Sequence, residues 1–220
     1  MQTKRPFEFM IELSWLRFFI ATVMLSIASY YDLRTREIDD LIWFVFGTIG
    51  AFLYMFDWES FSPHVFFWIS FSVIVACLLW LCKWYGGADV LAITVLSIIL
   101  PTYDNVPVPM IVLLIAFVTA STYVIIYNTY RNTKSLIKNK MLFSEINEPY
   151  YKKIIAFFVM HEKSNNERFG FCGVDREQHF IFKHSPNTEE FAIGKYVTVT
   201  PPLMFFLLIG LMLLMFLAAK

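Results

Sequence analysis

A chain of 220 residues that is 58% hydrophobic and only 16% charged departs from soluble-domain composition, which is roughly half apolar and a quarter charged. With a mean hydropathy of +0.58 it reads as a polytopic membrane protein. Lysine plus arginine balances aspartate plus glutamate at 18 each, which leaves no basic surplus for nucleic acid. The three cysteines, Cys77, Cys82 and Cys172, form neither a disulfide framework nor a CxxC zinc pair.

The first apolar run covers 13–31. Lys4 and Arg5 ahead of it, and Ile27-Ala28-Ser29 within it, are features of a cleaved secretory leader. Glu8, Glu12 and the long lead-in are not, so the run is read as a retained span. It ends on Asp32, in Asp32-Leu33-Arg34-Thr35-Arg36-Glu37-Ile38-Asp39-Asp40. A second run covers 41–56 and a third 65–82. A fourth, 90–100, opens just after Tyr85-Gly86-Gly87-Ala88-Asp89 and stops at Pro101. As a helix it reaches only about 16 Å, roughly half of a hydrocarbon core. Counted from Gly86 to Tyr103 it reaches about 27 Å, which just crosses; a re-entrant segment is the competing reading. The fifth run covers 106–127 and the last 201–219.

Charge asymmetry decides between these readings, because short loops rich in Lys and Arg face the cytoplasm. Arg34 and Arg36 follow the first run, Lys83 follows the third, and Arg131, Lys134, Lys138 and Lys140 follow the fifth. The loops 57–64 and 102–105 carry no Lys or Arg. All three basic places fall inside only if the fourth segment crosses. The expectation is about six transmembrane helices with the N-terminus outside, although Lys4, Arg5 and Arg17 fit that orientation poorly.

Residues 128–196 differ in kind, with 11 Lys or Arg against 8 Asp or Glu. Ile154 to Met160 is apolar, and 168–173, 179–183 and 195–199 alternate as short strands do. The domain expectation is therefore 1–127 for spans one to five with both aspartates, 128–196 for a small cytoplasmic α+β insert, and 197–220 for span six.

Carboxylates at bilayer depth are expensive and mark function by default. Asp32 ends a helix running inward and Asp89 opens one running outward, so both fall at the cytoplasmic face. Each has an ordinary structural role open to it. Asp32 precedes Arg36 by four residues, the favourable order for a helix-surface pair, and Asp89 sits where a helix cap would. Their common depth favours a joint role. Two close carboxyls cannot both ionise cheaply, so the pair holds a single proton near neutral pH. One member then takes a proton from water while the other polarises a peptide carbonyl, which is peptide hydrolysis without a covalent intermediate. Gly86 and Gly87 remove side-chain bulk where the two helices would meet.

This pattern resembles the membrane aspartic proteases with a GxGD motif, above all the archaeal preflagellin and prepilin peptidases, which are related to bacterial type IV prepilin peptidases. Asp32 to Trp43 is similar to the first motif of that family, and Gly86-Gly87-Ala88-Asp89 stands where the second belongs. The six-span layout with a polar insert before the last helix matches as well. The resemblance implies catalytic Asp32 and Asp89 with Gly86, Gly87 and Ala88 as the surrounding motif. It implies cleavage of class III signal peptides, between a basic leader and the apolar helix of an archaellin or pilin-like precursor, in the cell membrane with the site facing the cytoplasm. Ala88 replaces the second glycine of the motif, so that position tolerates a Cβ and a negative φ. The bacterial cysteine tetrad is absent, so cleavage without N-methylation is expected, with no cofactor and no metal.

Other features carry lesser expectations. Glu37, Asp39 and Asp40 either favour a helix start through its dipole or dock the basic leader. Residues 131–140 are basic and suit anionic lipid headgroups. Thr200-Pro201-Pro202 begins the last helix; in related intramembrane proteases a proline-bearing motif on a late helix lies near the aspartates. His64, His161, His179 and His184 show no ligand spacing. The rival classes are a proton-coupled transporter with buried carboxylates, for which no repeated halves are evident, and a non-enzymatic membrane assembly factor.

Overall fold

The computed structural model describes residues 5–56, 62–82, 86–103, 106–138, 142–144, 146, 148–163, 171–174, 179–180 and 195–218, with side chains from residue 13 onward except at 171, 172 and 218. The described residues form two compact units, one of Met1–Val118 with Pro202–Lys220 and one of Thr119–Pro201.

The first unit is helical. α1 (Arg5–Arg34) buries Phe18, Ala21, Leu25 and Ala28, the stripe that a 3.6-residue repeat aligns on one face. Asp32 is the next rung of that stripe and is buried with it. α2 (Asp40–Phe56) starts where Asp39 Oδ1 accepts the Leu41 N–H at 2.9 Å. α3 (Pro63–Leu81) starts at Ser62, whose Oγ accepts the Val65 N–H, with Pro63 at the first helical position. Most of α3 is exposed, including Phe66, Phe67, Ile74, Leu78 and Trp80, as suits a helix facing lipid.

α4 (Gly87–Ile99) is 13 residues long and buried nearly all round, through Ala92, Ile93, Val95, Leu96 and Ile99. The stretch counted as far as Tyr103 is not one helix. Pro101 disfavours the helical region for Leu100, which adopts φ −140° and ψ 72°. The chain then turns through a short antiparallel pair, β1 (Thr102–Tyr103) with β2 (Val106–Pro107). Alone, α4 is about 20 Å long. Its C-terminal carbonyl at Ile99 accepts from Arg17 Nη1 of α1 at 3.0 Å, and the Arg17 guanidinium stacks over Tyr54 of α2, 4.5 Å from the ring centre. A cation at a helix C-terminus is the favourable end. Arg17, the awkward charge of the sequence reading, thus joins three helices.

α5 (Val108–Ile137) continues well past Tyr127 into the basic stretch. α7 (Leu203–Ala218) packs along α1, and α4 packs between α2 and α3. Among the described residues, 13–34, 63–81 and 108–137 are long and apolar enough to cross a membrane, while Asp40–Met55, Gly87–Ile99 and Leu203–Leu217 are shorter apolar helices. Together with the composition, these make the chain a polytopic helical membrane protein.

In the second unit α6 (Tyr150–Val159) lies beside α5. Asn128 and Asn132, one turn apart on α5, donate to the carbonyls of Val159, Phe157 and Met160, which a helix end would otherwise leave unsatisfied. β3 (His161–Glu162), β4 (Phe171–Cys172) and β5 (Tyr196–Thr198) form an antiparallel sheet of order β3-β5-β4. Phe143, Ile146, Met160, Phe180 and Tyr196 share its core. Of the three expected strands, 168–170 and 181–183 lie outside the described residues.

Two glycines bring helices of the first unit close. A Cβ on Gly210 would lie 2.8 Å from the Val112 carbonyl oxygen, and one on Gly50 2.8 Å from Ile99 Cγ1. At Gly47 the nearest contact would be an ordinary 3.6 Å. Gly210→Val and Gly50→Val are therefore expected to cost about 1–3 kcal/mol by overpacking, whereas Gly47→Ala leaves thermal unfolding in detergent unchanged or slightly raised. Equal melting for all three variants would contradict the close approaches.

Candidate active site

The site is built from three helix ends. α1 carries Asp32 near its C-terminus, α4 carries Asp89 in its first turn, and α7 supplies its own N-terminus. On α1 the buried stripe fixes the direction of the Asp32 side chain. On α4, Asp89 stands one helical step before Ala92, Ile93 and Leu96, so it shares their inward face.

Asp32 is 9% exposed, and both its oxygens are engaged. Oδ1 faces Arg36 Nη1 at 3.3 Å, and Oδ2 accepts the backbone N–H of Met204 at 3.0 Å. Met204 lies in the first turn of α7, where N–H groups lack helical partners and the helix dipole favours an anion. Asp89 Oδ2 accepts the Gly86 N–H at 2.8 Å, a capping contact at the start of its own helix. The charged neighbours whose fields act on Asp89 are Asp32 and Arg36. The two carboxyls, 57 positions apart in sequence, therefore lie within each other's electrostatic reach.

The ordinary local roles read from the sequence are present too. Asp32 pairs with Arg36 four residues on, and Asp89 caps α4.

Gly86 and Gly87 are exposed, and both have negative φ, as no described glycine has a positive one. A Cβ on Gly87 would meet nothing within 4 Å, and one on Gly86 only Asp89 Oδ2 at 3.5 Å. Their small size is therefore not needed for packing against the described residues, contrary to the close-approach argument. It leaves open space beside Asp89. Ala88 lies in the first turn of α4, where a Cβ is tolerated.

Glu37, Asp39 and Asp40 are exposed in the short connection from α1 to α2. Asp39 caps α2 and Asp40 occupies its first turn, so two of the three acids stabilise a helix start as they stand. Among the described residues no group of three His, Cys, Asp or Glu side chains converges as a metal site.

The Met204 amide was missed, since any residue type can supply it. The usable signal was Pro201-Pro202, which starts a helix and so aims free N–H groups at whatever lies before it. Replacing Asp32 tests this contact through stability. Asp32→Asn keeps an acceptor for the Met204 N–H, whereas Asp32→Leu leaves that donor buried and unsatisfied at about 1–3 kcal/mol. The Leu variant is expected to melt clearly below the Asn variant in detergent; the reverse order would refute the contact.

Comparison with curated proteins returned no match. Residues 19–125, which contain Asp32, Arg36 and Asp89, match the model of the type IV leader peptidase family. Over that stretch, just under half of its length, the chain is similar to the type IV leader peptidase family.

Proposed function

We propose that this chain is a membrane aspartic endopeptidase that removes the basic leader of archaellin or type IV pilin-like precursors, with Asp32 and Asp89 as its catalytic pair. The observation that supports the reading is that two carboxyls on helices far apart in sequence, each at a helix end, fall within each other's electrostatic reach inside the segment matched to the leader peptidase family. A pair of this kind holds one proton. The ionised member draws a proton from a water molecule as that water attacks the scissile carbonyl. The protonated member donates a hydrogen bond to the carbonyl oxygen, where negative charge develops. The tetrahedral intermediate then collapses with proton transfer to the leaving amine. The proton count of the pair is restored over the cycle and no acyl-enzyme forms.

The membrane arrangement belongs to the same proposal. Six apolar segments cross with the N-terminus outside, and residues 128–196 lie in the cytoplasm. The basic connections after the first, third and fifth segments support this orientation. α4 and its following hairpin together cover the depth that 13 helical residues alone do not. The open space beside Gly86, Gly87 and Ala88 suits an extended substrate backbone approaching Asp89. Glu37, Asp39 and Asp40 face the leader and attract its positive charge, while the basic residues after α5 contact anionic lipid. Cleavage proceeds without N-methylation.

Membranes containing the protein, incubated with a labelled pilin or archaellin precursor, should yield the shortened product. Asp32→Asn and Asp89→Asn should each reduce cleavage by roughly 10²–10⁴-fold at unchanged protein level. Full activity in either variant removes that residue from the catalytic pair. The combined change Glu37→Gln, Asp39→Asn, Asp40→Asn keeps the α2 cap, because Asn caps as well as Asp. It is expected to raise KM several-fold with little change in kcat, and an unchanged KM would remove these acids from leader docking.

A further inference from the structure

Arg36 holds a backbone conformation that side-chain-bearing residues rarely take, with φ at 61°. It ends α1, where the amides of Thr35 and Arg36 both donate to the Tyr31 carbonyl, at 2.8 and 3.2 Å. Glycine, or sometimes asparagine, ordinarily occupies such a helix-ending place because a Cβ is sterically penalised there. Strained residues of this kind gather at functional sites. Here the left-handed turn folds a long side chain back over the last turn of α1, setting Nη1 3.3 Å from Asp32 Oδ1. The guanidinium also acts on Asp89. Arg34, two residues earlier, is turned elsewhere, with Nη1 on the Tyr30 hydroxyl at 2.6 Å. With one shared proton, the pair carries a single negative charge at the edge of apolar surroundings, and Arg36 brings a single positive charge to it.

We propose that Arg36 is a positioning residue of the catalytic pair, holding Asp32 in its working orientation and offsetting the pair's negative charge. It acts through Asp32, without contact to substrate. The inference rests on the aspartic peptidase reading above. A residue that merely ended the helix would be better served by glycine, which adopts positive φ freely. This makes Arg36→Gly the discriminating variant, since it relieves the backbone and removes the guanidinium together.

With a labelled pilin precursor in detergent micelles, Arg36→Gly should remain folded, since relief of the positive φ offsets part of the lost contact to Asp32. It should lose at least about tenfold in kcat with KM little changed. Millimolar guanidinium should restore much of that rate, and urea at the same concentration should not. Arg36→Lys should recover little without added guanidinium, because a point charge does not reproduce the planar fork. An Arg36→Gly protein that cleaves at the wild-type rate overturns the inference, and so does a loss that guanidinium leaves untouched. Failure of the peptidase reading looks different: the wild type itself does not cleave, or the Asp32→Asn and Asp89→Asn proteins remain active.

Discussion

A carboxylate buried at the end of an apolar helix must find donors from outside that helix's own C-terminal turn, which offers only carbonyls. Asp32 is in that position. The dipole of α1 disfavours an anion there, and lipid disfavours it again. The fold answers with two groups of opposite character: the guanidinium of Arg36, brought back by a left-handed turn, and the N-terminus of α7, brought in from the other end of the sequence. The packing of α7 along α1 follows from this as much as from apolar burial, since Met204 is both a donor to Asp32 and a buried side chain in the α1–α7 interface.

α4 is positioned by separate means. Its C-terminus is tied to α1 and α2 through Arg17 and Tyr54, Gly50 lets α2 lie close against Ile98 and Ile99, and Pro101 stops the helix where these contacts need it to stop. With the far end fixed, the inward face of α4 carries Asp89 within electrostatic reach of Asp32. The charged residue that fitted the topology worst, Arg17, therefore contributes to the placement of the second aspartate. A buried arginine that satisfies a helix-end carbonyl and stacks on an aromatic ring has exchanged its hydration for fixed partners.

Some of this was readable because it depends on local repetition. The stripe Phe18, Ala21, Leu25, Ala28 extends to Asp32, and the stripe Ala92, Ile93, Leu96 extends back to Asp89; both are visible in the chain. The stop at Pro101 is visible too, although a segment of bilayer length has to run on to Tyr103. The positive φ of Arg36 had no signal, since glycine and asparagine usually announce that conformation and neither is present. The Met204 contact was invisible as a pair because it joins positions 172 apart through a backbone group that carries no side-chain identity. The Gly86-Gly87 pair was assigned to close packing by analogy with other membrane helices. Only coordinates could reveal that nothing described lies against Gly87.

The two carboxyls are held unequally, and that inequality bears on how such a site would work. Asp32 is gripped by donors from two different segments, so rotating it means breaking a charge-assisted contact and vacating a helix N-terminus. Asp89 has its resolved hydrogen bond to the Gly86 amide of its own helix start, and the chain beside it at Gly87 is open. Any small displacement of the α4 start would therefore carry Asp89 and its cap together, while Asp32 remained in place. The smaller conformational cost falls on the helix start with fewer ties, where the cap moves with the carboxyl it orients.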